Sequence, residues 1–98
     1  MIDKDKYIKE VEKQRADWQS DIYKLRVIAE DTGWEDPDQQ IQYYRAIEDI
    51  TAKESEVADM LALLKDTTKG DWPVNKDKLD QLRKEVSEAI AAARSGVP

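Results

Sequence analysis

Apolar residues recur along this chain at alternating steps of three and four, and the rhythm holds for about three heptads at a time. The first series is Ile8, Val11, Arg15, Trp18, Ile22, Leu25 and Ala29. The second is Tyr43, Ile47, Ile50, Glu54, Val57, Leu61 and Leu64. A mean step of 3.5 residues keeps one narrow stripe on one side of a helix, and such stripes are buried by packing helix on helix as a coiled coil. A third, weaker series runs through Leu79, Leu82, Val86, Ala89 or Ile90, and Ala93. The pattern predicts an all-α fold in one domain, with helices over about 3–32, 37–68 and 76–95.

Two clusters of turn residues separate the series. In Gly33-Trp34-Glu35-Asp36-Pro37-Asp38-Gln39, Gly33 suits a left-handed helix ending and Trp34 can fold back on Ile28 or Ala29, as in a Schellman motif. Asp36 reads as an N-cap, Pro37 as the first helical residue and Gln39 as the far side of a capping box. In Gly70-Asp71-Trp72-Pro73-Val74-Asn75, Gly70 ends a helix and Asn75 caps the next, with Val74 and Leu79 placed as a hydrophobic staple. Gly96-Val97-Pro98 closes the third helix.

A hairpin turning near residues 34 and 35 makes facing positions add to about 69, so Ile8 meets Leu61, Ile22 meets Ile47, and Leu25 meets Tyr43 or Tyr44. Arg15 and Glu54, the charged residues that interrupt the two seams, also add to 69. They are expected to pair and fix the register, the best-attested use of such a pair; the alternative is that each snorkels separately to solvent. The shorter third helix, running back antiparallel to the second, reaches only about residue 48. It finds a second stripe at Glu56, Met60, Leu63 and Thr67. The expected architecture is therefore a long antiparallel hairpin with a three-helix bundle at its base. The two-helix tip, roughly 20–48, leaves Val27, Ile28, Trp34, Ile41 and one of Tyr43 or Tyr44 without partners, and these form the candidate interaction surface.

Composition narrows the chemistry. The 98 residues contain no Cys and no His, so disulfides, thiolate chemistry, the commonest general base and the commonest transition-metal ligand are all missing. No cofactor is implied. Charged residues make up 39% of the chain, with 22 acidic against 16 basic, for a net charge of −6 and a pI near 4.7. That balance disfavours nucleic acid and anionic membranes as partners. The segment MIDKDKYIKEVEK lacks the apolar core of a signal peptide. No apolar run approaches the ~20 residues that cross a bilayer, and a cytoplasmic location is the default expectation.

Several pieces resemble a known group: Lys6-Tyr7-Ile8, Val11, Trp18, Ile22 and Leu25 in the first helix, then Tyr44, Ile47, Ile50, Lys53, Val57, Leu61 and Leu64 in the second. Trp72 ahead of Leu79, Leu82 and an Ala-rich end continues the likeness. Together they are similar to small bacterial coiled-coil proteins of about a hundred residues, largely uncharacterised and sometimes labelled stress-response proteins. The Gly33–Gln39 turn departs from that family, whose chain is more continuous there. The likeness implies a cytosolic, stress-linked bacterial accessory protein, and lends no catalytic, cofactor or metal residue.

Other constellations have plain readings. The acidic turn of Glu30, Asp31, Glu35, Asp36 and Asp38 offers carboxylates to a hard cation, but the spacing is not that of an EF-hand and helix capping already uses Asp36. Lys4, Lys6, Lys9 and Lys13 alternate with acids, as on a solvated mixed-charge face. Ser20, Ser55, Ser87 and Ser95 have no activating base, and no Gly-rich phosphate loop occurs. Trp18 belongs to the seam and Trp72 covers the base, whereas Trp34 is either a turn contact or an interaction anchor. The sequence thus points to a non-catalytic protein that self-associates, most plausibly as a homodimer. Its competitors are a monomeric adaptor binding another helical protein and a reversible binder of lipid surfaces.

Overall fold

A computed structural model describes residues 3–31, 33–66 and 72–95. It contains helices α1 (Lys4–Ala29), α2 (Pro37–Asp66) and α3 (Trp72–Ser95), packed up, down and up into a rod of 53 × 19 × 18 Å. All three helix pairs are in contact. The fold is all-α, and α3 lies beside both arms of the hairpin.

The heptad positions are the core. Val11, Trp18, Ile22, Leu25 and Ala29 from α1 are buried with Tyr43, Ile47, Ile50, Val57, Leu61 and Leu64 from α2. From α3 come Leu79, Val86, Ile90 and Ala93, with Leu82 and Ala89 partly buried against the same cluster. No polar or charged residue is buried among the described residues. At about 25 cal/mol per Å² of apolar surface, this continuous seam is the main source of stability in a chain whose remaining residues are strongly polar.

The structure differs from expectation at three helix ends and along one stripe of α2. First, α1 stops at Ala29, with Glu30 as its C-cap in right-handed conformation, and Gly33 has no left-handed φ. The Schellman ending is not formed. Instead, side chains satisfy the orphan carbonyls of the last turn: the Trp34 indole N–H donates to Ile28 O at 2.9 Å, and the Gln40 amide donates to Ala29 O at 2.7 Å. Second, Asp36 does cap α2, accepting from Asp38 N at 2.9 Å, but Gln40 rather than Gln39 reaches back across the turn. Third, α3 begins at Trp72, so Asn75 lies inside its first turn and is not the cap. Proline is well tolerated in a first helical turn, which lets Pro73 stand within the helix. Val74 is 62% exposed, so it makes no staple with buried Leu79. Fourth, the second stripe of α2 is incomplete: Met60 packs on the core, but Leu63 is half exposed and Glu56 is exposed. Thr67, the turn at Gly70 and Asp71, the last two residues of the expected second helix and the closing Gly96-Val97-Pro98 lie outside the described residues.

Candidate interaction surface

The Arg15–Glu54 pair sits in mid-hairpin, with Arg15 Nε donating to Glu54 Oε1 at 2.6 Å. The side chains are 26% and 12% exposed, so the contact is shielded from water but not sealed. Glu12 and Lys65 pair at 2.9 Å at the base of the same two helices. Arg26 reaches Thr51 Oγ1 at 3.4 Å nearer the tip.

A second set of polar contacts fastens α3 to α1. Tyr7, Gln14 and Asp21 lie seven residues apart on one flank of α1, beside its buried stripe. Each bonds a side chain of α3. The Tyr7 hydroxyl donates to Asp80 Oδ1 at 2.5 Å, Arg83 Nε donates to Gln14 Oε1 at 2.5 Å, and Arg94 Nη2 donates to Asp21 Oδ1 at 2.5 Å. Lys76 Nζ completes the site at Asp80 Oδ2, 2.7 Å away.

The Tyr7 ring is also the platform of this cluster. Lys76 and Arg83 stand 5.2 and 5.3 Å from its centroid, and Trp72 packs against it at 6.1 Å. Burial and the hydrogen bond to Asp80 push the Tyr7 hydroxyl up to about 12, against the opposing pull of Arg83. Burial also pushes on the Asp80 carboxyl, but hydrogen bonds from Lys76 and Tyr7 and the charges of Lys76 and Arg83 outweigh it, leaving the carboxyl below its ordinary value. Sequence reading placed none of these residues in a cluster, because the seven-residue spacing of Tyr7, Gln14 and Asp21 carries three different side-chain types.

At the tip, the expected surface divides in two. Val27, Ile41 and Tyr44 are exposed, at 53%, 50% and 39%. Tyr43 is buried, and Ile28 and Trp34 are partly buried against the core. These three are therefore not among the exposed apolar groups, although Trp34 and Tyr43 line the groove between α2 and α3. Trp34 is held by its hydrogen bond to Ile28 and by the Tyr43 ring, whose centroid is 5.2 Å away. Burial raises the Tyr43 hydroxyl pKa, and that hydroxyl is buried without a hydrogen-bond partner. Tyr23, 68% exposed one turn before Val27, joins the surface and was absent from the expected set. Its four-residue step to Val27, outside the seam series, was the available signal.

Between the last turns of α3 and the tip half of α2 lies an open groove of about 630 Å³. Tyr43, Ala46 and Ile50 of α2 and Ala89, Ala92 and Ala93 of α3 line it, with Trp34 at one end and Gln39, Gln42, Asp49 and Lys53 along its sides. In the acidic turn, the Asp31 and Asp36 carboxylates accept from the backbone N–H of Gly33 and Asp38. Among the described residues no three acids converge in a way that could hold a metal ion, and no helix is long and apolar enough to cross a membrane.

No family model, curated protein or solved structure matches the chain.

Proposed function

We propose that this chain is a non-catalytic interaction module that self-associates through its helical surfaces as a homodimer. The observation that carries this reading is the cluster of exposed apolar groups toward the tip of the hairpin: Tyr23, Val27, Ile41 and Tyr44. Scattered exposed apolar residues are ordinary on a monomer, but contiguous ones mark a contact surface. Tyrosine is also among the residue types that interfaces favour. Light scattering across a hundredfold range of concentration tests the reading. The expected result is a mass rising to twice 11.3 kDa, with melting temperature rising alongside it, since dissociation obeys mass action. A monomer at every concentration overturns it.

A second reading is favoured by the groove beside α2. It has the form of a seat for the apolar face of a partner's helix, which makes the chain a monomeric adaptor. That reading expects melting independent of concentration, and an apolar-to-charged change at Ala46 or Ala92 that weakens partner binding without loss of helicity. The cytoplasmic setting and the likeness to stress-response proteins belong to the same proposal. Reversible lipid binding is the weakest alternative, because a net charge of −6 is repelled by anionic membranes.

A further inference from the structure

We propose that the second copy docks antiparallel and face to face on the side of the α1–α2 hairpin opposite α3, seating its tip tyrosines on the small residues of its partner's base. This rests on the self-association reading above and specifies its surface.

The side is defined by contacts already described. Residues at positions 7, 14 and 21 mark the flank of α1 that α3 covers. The Arg26–Thr51 and Glu12–Lys65 contacts mark the opposite flank, where no element of the described chain lies. Helical steps of three and four place Tyr23 with Arg26 on this side and Tyr44 with Thr51. Two copies each carrying −6 repel one another. Yet between the Glu12–Lys65 pair and Glu30 at the tip, the positions in step with Tyr23 and Arg26 on α1 and with Glu48 and Thr51 on α2 carry only Arg26 and Glu48 as charges, in a chain that is 39% charged. It is where like-charged copies approach at least cost.

Size decides the orientation. Bulky Tyr23, Ile41 and Tyr44 occupy the tip half of the face, and small Ala16, Ser55 and Ala58 the base half. A parallel stack sets tyrosine on tyrosine and alanine on alanine, which leaves a gap between the bases. The antiparallel stack sets large on small, as close packing requires. A two-fold interface must also be self-complementary, so that one shift satisfies every pair. Placing Tyr23 over the partner's Ala16 makes facing α1 positions add to about 39. Placing Tyr44 over the partner's Ser55 makes facing α2 positions add to about 99 and also sets Ile41 over the partner's Ala58. Both choices put the two-fold axis at the same height, level with Gln19 and Ser20 on α1 and with Asp49 and Ile50 on α2. Arg26 then lies level with the partner's Lys13 and within a turn of the partner's Glu12, the acid being the one of the two on the docking flank. A side of 53 by 19 Å has room for the roughly 800 Å² per partner of a stable interface.

The chain has no cysteine, so one introduced thiol is unambiguous. Gln19→Cys lies at the proposed two-fold axis, beside its own copy. Lys24→Cys, exposed on another side of α1, serves as the control. The expected result under air oxidation is a disulfide-linked dimer of the Gln19 variant that forms at least tenfold faster than that of the Lys24 variant. Tyr23→Ser is expected to raise the dissociation constant by roughly tenfold, as for an interface anchor, with helicity unchanged. A dimer by light scattering in which the two thiols link equally, or only Lys24→Cys links, overturns this face and leaves self-association standing. A chain that scatters as a monomer at every concentration overturns both.

Discussion

Arg15 and Glu54 show what one residue can do on a repetitive seam. A strictly apolar 3-4 stripe can slide by a heptad and still bury leucine against isoleucine, whereas a 2.6 Å ion pair exists in one register only. Removing one partner strands a charge that is largely shielded from water. Removing both leaves an apolar contact of similar volume. Arg15→Leu is therefore expected to cost about 1–3 kcal/mol, and the double change Arg15→Leu/Glu54→Leu distinctly less, in a thermal or urea double-mutant cycle. Additive costs contradict the pin. The Tyr7–Asp80 cluster makes a separate prediction in pH. Asp80 titrates below its ordinary 3.8 when folded, so its stabilisation is complete above that value and lost as pH falls through the lowered one. Tyr7 is raised from 10.0 to about 12, so its stabilisation is complete below 10 and lost as pH climbs toward 12. Thermal melts should show Asp80→Asn flattening the acid limb and Tyr7→Phe flattening the alkaline one. The cycle partners were legible because both were polar interruptions of an apolar series. The Tyr7 cluster was not, because a tyrosine bordering a seam resembles any other seam residue until its hydrogen-bond partner on a third helix is known.

At the scale of the element, periodicity located the helices and misjudged their ends. The buried residues of α1 and α2 include all the apolar seam residues from Ile8 to Leu64, because burial follows a spacing summed over many residues. Helix ends turn on one or two groups, and several chemistries compete there. A Gly followed by Trp fits a Schellman ending, but the Trp34 indole and the Gln40 amide satisfy the same carbonyls, and Gly33 is left without a left-handed task. Asn75 falls inside the first turn because α3 takes in Trp72 and Pro73, with Trp72 packed on the Tyr7 ring. One substitution separates the two accounts of the first turn. A Cβ on Gly33 meets nothing closer than the Asp31 carboxylate at 3.6 Å. Gly33→Ala is therefore expected to be neutral or to stabilise by up to about 1 kcal/mol, through lost freedom of the unfolded chain. A melting temperature lowered by several degrees points instead to a left-handed glycine.

For the whole molecule, the governing conflict is between a face suited to a second copy and a charge that drives copies apart. The net −6 is spread over a rod only 19 Å wide, so no part of one protomer is far from its partner's acids on the scale of electrostatic screening. The proposed face answers this by carrying few charges, and the repulsion it meets comes from the rest of each surface. Such long-range repulsion is screened by salt, with a Debye length of about 30 Å at 0.01 M and about 8 Å at 0.15 M. Contacts between apolar groups and small side chains are not weakened by that change. The dimer is therefore expected to tighten by several-fold between those two salt concentrations, and to tighten again as pH is lowered from neutral toward the pI of 4.7. Sedimentation equilibrium at each condition measures both effects. An association that weakens with salt reverses the assignment, because charge pairs across the interface, of the kind Arg26 makes with its partner's Glu12, then dominate over apolar packing.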